Sequence, residues 1–124
     1  MLLLVDLDGV VYRASQPVPG VGAALAARVA LGDDVVYVTN NAMHYHADYL
    51  PRLAAHGAPV GPDRVITSAR ASALWIREHL PAVRTVLSVG AGGLERELRD
   101  AVGSRIYSGT SEIQRNIIAR CLGL

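Results

Sequence analysis

Leu2 to Leu7 forms an apolar run interrupted by Asp6 and closed by Asp8. An apolar run this short predicts a strand buried on both faces, the pattern of a parallel sheet. Pro17, Pro19, Gly20 and Gly22 mark a loop, and Ala23–Leu31 then has helix-forming composition. Gly32-Asp33-Asp34 reads as a turn before the β-branched run Val35–Val38, which stops at Thr39-Asn40-Asn41. His44–His56 places Ala47, Leu50 and Leu53/Ala54 on a helical period and closes at Gly57, with Pro51 implying a kink. After the turn Gly61-Pro62-Asp63 comes Val65-Ile66. Ser68 then caps a predicted helix through Leu80, with Ala69, Ala73, Trp75/Ile76 and Leu80 on its apolar face. Pro81 ends it. Thr85–Val89 reads as a third strand, Gly90–Gly93 as a turn and Leu94–Val102 as a helix of mixed charge. Strands alternating with helices predict βαβ units, so the expected class is α/β around a mostly parallel sheet. Further on, Ser111 and Gln114 fit a capping box for a last helix to Leu122, with Ile113, Ile117 and Cys121 on one face.

Composition narrows this picture. The 124 residues suit one domain, and the net charge of +1 argues against binding nucleic acid or an anionic membrane by bulk electrostatics. Arg residues form no basic run and one Trp offers little stacking, so no nucleic-acid partner is expected. The single cysteine, Cys121, excludes an internal disulfide or a cysteine-built zinc site within these residues. MLLLV meets Asp6 at once, so neither a signal peptide nor a membrane span is expected, and the predicted setting is cytoplasmic. All twelve basic residues are Arg. No chemistry that requires a Lys ammonium can be completed from this sequence.

The words with chemical content are Val5-Asp6-Leu7-Asp8-Gly9-Val10-Val11-Tyr12 and Val38-Thr39-Asn40-Asn41. Both fall at carboxyl ends of predicted strands, where open parallel sheets bind ligands. Two carboxylates one residue apart can divide labour: one attacks an electrophile while the other gives and takes a proton. Mg²⁺ is the natural counter-charge for such a pair in phosphate chemistry. Thr39, Asn40 and Asn41 can hydrogen-bond phosphoryl oxygens, and Gly9 permits a close backbone turn. A bare D-x-D more often caps a turn after an edge strand. An EF-hand fails, because the glycine comes too early and no acidic residue stands at the twelfth position.

Taken together, D-L-D-G-V-V-Y and V-T-N-N resemble the first two motifs of the haloacid dehalogenase superfamily. The further words Q-P-V-P-G, P-D-R-V-I-T-S-A and S-V-G-A-G-G-L-E-R-E-L are similar to its 4-nitrophenyl phosphatase and phosphoglycolate phosphatase branch, over residues 2–101. The resemblance implies that Asp6 is the nucleophile forming an aspartyl-phosphate and a Mg²⁺ ligand. Asp8 would be the general acid/base, its backbone carbonyl also on the metal. Thr39 would bind the transferring phosphoryl group of a small phosphate monoester, and Asn40 would shape the pocket. Val10-Val11-Tyr12 would begin a flap. Residues 1–66 would form the first half of the core, and 67–102 the start of a cap-like region.

The same resemblance implies a third-motif Lys and a downstream acidic pair, and this sequence shows neither. It therefore predicts a truncated catalytic set. It also predicts an open edge beside the Leu2–Leu7 strand, inviting self-association. Residues 103–124 carry a different likeness: R-I-Y-S-G-T-S-E-I-Q-R-N-I-I-A-R-C-L-G-L resembles the carboxyl terminus of acyl-CoA dehydrogenases. That resemblance implies that Gly109, Thr110, Ser111 and Glu112 lie near FAD, with Ser108 where many members carry a catalytic Glu. An acyl-CoA dehydrogenase fragment and a non-catalytic fusion remnant or interaction module are the alternative readings. Gly90-Ala91-Gly92-Gly93 lacks the third glycine of a dinucleotide loop, since Glu95 stands there. His44 and His46 near Asp48 read as a solvated helix start rather than a metal site.

Overall fold

The computed structural model describes residues 1–88, 92–102 and 105–107. Strand β1 (Leu2–Asp6) runs into a tight turn, followed by a small antiparallel ribbon of β2 (Tyr12–Arg13) and β3 (Gln16–Pro17). Helix α1 (Val21–Ala30) leads to β4 (Asp34–Thr39), and a 3₁₀ turn (His46–Tyr49) leads directly into α2 (Leu50–Ala55). Then come β5 (Val65–Thr67), α3 (Ser68–His79), β6 (Thr85–Leu87), α4 (Gly92–Val102) and β7 (Arg105–Tyr107).

The main sheet has the order β1-β4-β5 and is parallel throughout. On one face Leu3, Val5, Val35, Tyr37 and Val65 pack with Val21, Leu25 and Val29 of α1 and with Leu50 and Leu53 of α2. Leu7, Val35, Tyr37, Leu53 and Val65 are fully buried there. Each such side chain contributes ~1.5–3 kcal/mol through water exclusion. Helices α1 and α2 meet closely: a Cβ on Gly22 would lie 2.1 Å from the His56 carbonyl oxygen, which leaves room only for glycine.

The two-sided burial expected of β1 is not found. Leu2 and Leu4 are 59% and 66% exposed, because β1 is an edge strand and its second face is uncovered among the described residues. The predicted helix His44–His56 is also divided. Pro51 has no N–H and disfavours helical geometry before it, so it stands in the first turn of α2 after a separate 3₁₀ turn. Thr67 rather than Ser68 caps α3, its Oγ1 accepting the Arg70 N–H at 3.0 Å. The expected third strand joins a separate sheet: β6 pairs in parallel with β7, a strand that hydrophobic patterning did not single out.

The segment between β4 and α2 is fastened by α4. The buried Glu97 carboxylate accepts the His46 N–H at 2.8 Å and stands 2.9 Å from His46 Nδ1. Arg96 reaches Asp48 at 3.0 Å, and the Tyr45 hydroxyl donates to Asp100. His46 is thus a half-buried anchor, not part of a solvated helix start. No helix among the described residues is long and apolar enough to cross a membrane.

Candidate functional site

Asp6 is the last residue of β1 and pairs in register with Val38 of β4, which places it beside Thr39 at the carboxyl ends of adjacent strands. Val38 and Thr39 in turn lie opposite Ile66 and Thr67 of β5. Beyond Asp6 the chain reverses. The Leu7 carbonyl accepts N–H groups from Val11 at 3.0 Å and Tyr12 at 3.3 Å, and the Gly9 N–H donates to the Tyr12 carbonyl at 2.7 Å. Gly9 adopts φ 83°, a conformation that costs an L side chain strain but glycine little. The buried Leu7 anchors this reversal in the core, so Asp6 and Asp8 on either side of it are both exposed.

Asp6 Oδ1 accepts the Leu7 N–H at 2.8 Å. Its other oxygen, and both oxygens of Asp8, have no hydrogen-bond or salt-bridge partner among the described residues. Thr39 Oγ1 accepts the Asn41 N–H at 3.2 Å, and Asn41 Oδ1 accepts the Met43 N–H at 2.9 Å, which folds the loop after β4 over the strand ends. The Asn40 carbonyl accepts the Ser68 hydroxyl at 2.8 Å, tying that loop to the first residue of α3.

Two open hollows meet here. One, of about 450 Å³, is lined by Asp6, Val38, Thr39, Asn40, Ile66 and Ser68 among others. The second, of about 530 Å³, contains Asp8, Tyr12, Asn41, His44, Tyr49 and Arg52, and shares Thr39 and Asn40 with the first. Asp6, Asp8, Thr39 and Asn40 thus gather at one end of the sheet. The two carboxylates nonetheless face different hollows, with Thr39 and Asn40 between them. Burial raises the phenol pKa of Tyr12, with Arg52 pulling it the other way, and burial likewise raises that of Tyr49. Both phenols stay neutral at ordinary pH.

No group of three or more His, Cys, Asp or Glu side chains suited to a metal occurs among the described residues. The exposed Asp6 carboxylate, with the Asp8 backbone carbonyl two residues on, still fits Mg²⁺. That ion takes one or two carboxylates and completes its shell with water and substrate phosphate oxygens. Patterning alone did not single out Tyr49 or Arg52, and it marked Ser68 only as a helix cap. They reach the site from α2, from the turn before it and from the start of α3, and no spacing along the chain marks them. Gly109, Thr110, Ser111 and Glu112, the candidate flavin-proximal residues, lie outside the described residues, as do Ile113, Ile117 and Cys121.

Fold and site together define an α/β protein that presents two unpaired carboxylates and a hydroxyl–amide cluster at the carboxyl ends of a parallel sheet. The family described as haloacid dehalogenase-like hydrolase matches residues 3–103. The chain belongs to that family. It is 32% identical over 120 residues to the 4-nitrophenylphosphatase of Schizosaccharomyces pombe, covering 95% of this chain and 40% of the relative. It is 37% identical over 109 residues to the human glycerol-3-phosphate phosphatase, covering 82% of this chain and 33% of that protein. The p-nitrophenyl phosphatase structure from Archaeoglobus fulgidus superposes with a TM-score of 0.74 at 30% identity, over 86% of this chain and 40% of that one. The chain therefore spans 40% or less of the length of these proteins. A second family, the acyl-CoA dehydrogenase carboxyl-terminal domain, matches residues 85–123.

Proposed function

We propose that the site serves Mg²⁺-dependent hydrolysis of small phosphate monoesters through Asp6. The observation that carries this reading is the placement of Asp6 beside Thr39 on adjacent parallel strands, with Asp8 two residues on and both carboxylates open to solvent. An Asp6 carboxylate oxygen attacks phosphorus, the bond from phosphorus to the leaving oxygen breaks, and Asp8 gives that oxygen its proton. Water then attacks the aspartyl-phosphate as Asp8 takes its proton back, releasing phosphate and restoring Asp6. Thr39 holds the transferring group by hydrogen bonding, and Asn40 shapes the wall between the two hollows. The Asp6 carboxylate and the Asp8 backbone carbonyl would hold Mg²⁺, which when bound offsets the charge of the phosphate and of the Asp6 carboxylate.

In this reading residues 1–66 are the first half of a hydrolase core, 67–102 the start of a cap-like region and 103–124 the dehydrogenase-like tail. Turnover of 4-nitrophenyl phosphate with Mg²⁺ is expected for the chain and is lost in Asp6→Asn. Equal rates in the two proteins, or no turnover in either, would remove the proposal. The match at residues 85–123 favours a second reading as part of an acyl-CoA dehydrogenase. Purified protein with a flavin absorption band would support it, and colourless protein that takes up no FAD would dismiss it.

A further inference from the structure

Arg28, Arg64, Arg70, Arg96 and Arg99 each pair with a carboxylate, whereas Arg52, like Arg13, Arg77 and Arg84, has no such partner among the described residues; of these four, Arg52 is the one that lines the cleft beside Asp8. Its guanidinium carbon lies 4.8 Å from the centroid of the Tyr12 ring, and the Tyr12 phenol is 5% exposed and fixed at the start of β2. A cation stacked on a buried ring is held in place without committing its N–H groups to an anion. Arg52 also lines the 530 Å³ cleft into which Asp8 opens, together with Asn41, His44 and Tyr49. The hydroxyl of Tyr49, itself 5% exposed, has no hydrogen-bond partner among the described residues. A planar guanidinium that no carboxylate engages matches the two oxygens of a carboxylate or phosphate in a bidentate fork.

We propose that Arg52 is a specificity-determining residue that grips a second anionic group on the leaving side of the substrate. This rests on the phosphate monoester reading. There Asp8 protonates the leaving oxygen, so the cleft shared by Asp8 and Arg52 receives the leaving group, while Asp6 and its own hollow receive the phosphorus. Arg52 supplies the attraction for an anionic group within that cleft. Substrates whose leaving group carries a carboxylate or second phosphate are thereby preferred over neutral ones.

Two non-hydrolysable probes separate the outcomes: 3-phosphonopropionate, which carries a carboxylate, and propylphosphonate, which does not. Both are titrated with Mg²⁺ against the wild-type chain, Arg52→Gln and Arg52→Lys, with binding followed by calorimetry. The wild type is expected to bind the carboxylated probe about tenfold more tightly, as one charge-assisted bidentate contact supplies. Arg52→Gln erases that preference and leaves propylphosphonate binding unchanged, while Arg52→Lys keeps part of it. Equal binding of the two probes by the wild type, or a preference that survives in Arg52→Gln, overturns the role of Arg52 and leaves the phosphate site intact. Failure of both probes to bind the folded wild type overturns the phosphate reading itself.

Discussion

Tyr37 is fully buried at the centre of β4, and its hydroxyl donates to the Pro59 carbonyl at 2.9 Å. Burial pushes its pKa up from 10.0 to about 12. A folded-state pKa above the unfolded one means that this stabilisation is fully present below pH 10 and is lost as the pH rises towards 12. Tyr37→Phe should therefore lower stability at neutral pH by about 1 kcal/mol, for the lost hydrogen bond, and flatten the alkaline limb of the stability profile. Denaturant melts at pH 7, 10 and 11.5 check both points. If wild type and variant fell in parallel across that range, Tyr37 would not be the alkaline-sensitive group. At this scale the sequence is informative where chemistry is written in consecutive residues. Asp6, Asp8, Thr39 and Asn40 were legible because each sits in a short word at a strand end. Arg52 was not, since its meaning depends on Tyr12, forty positions earlier, turning its ring beneath the guanidinium.

Elements show the same division between local and non-local information. Strands β1 and β4 and helices α1, α3 and α4 follow from apolar patterning and turn residues, with boundaries shifted by a residue or two, whereas β5 forms at Val65–Thr67, where patterning assigned no strand. The division at Pro51 follows from a backbone rule that periodicity ignores. What patterning does not contain is the docking of α4 on the 3₁₀ turn. That docking depends on Glu97 finding both the backbone N–H and Nδ1 of His46. It also depends on Gly93, where a Cβ would lie 2.4 Å from the Ala42 carbonyl oxygen. Helix α4 thus braces the loop that carries Asn40, Asn41 and His44. Glu97→Ala leaves the imidazole and an amide of His46 unpaired in a half-buried position and should cost about 3 kcal/mol. Hydrogen exchange is the sensitive readout: amides of α4 should lose protection well before those of β4. Unchanged protection in α4 would show that the pair does not hold the helix.

For the whole molecule, the decisive feature is a parallel sheet whose first strand has one free edge and one bare face among the described residues. Exposed Leu2 and Leu4 lie on that face, beside half-buried Val36, Val38 and Ile66. An apolar strand with an unpaired edge is a template for another strand. We therefore expect concentration-dependent association of this chain, and Leu4→Arg should shift sedimentation towards the monomer. Sedimentation that is monomeric at every concentration would rule the association out. The two family matches overlap at residues 85–103, and α4 lies within both. Its polar links to Tyr45, His46 and Asp48 join it to the hydrolase-like part of the fold.

The central claim is that Asp6 accepts a phosphoryl group. The direct measurement is chemical trapping: incubation with 4-nitrophenyl phosphate and Mg²⁺, a rapid quench, and borohydride reduction, which converts an aspartyl-phosphate to homoserine. Peptide mass spectrometry should find homoserine at position 6 after substrate, and none without substrate or in Asp6→Asn. Homoserine at another aspartate, or an Asp6 that remains unmodified while 4-nitrophenol is released, would contradict the account.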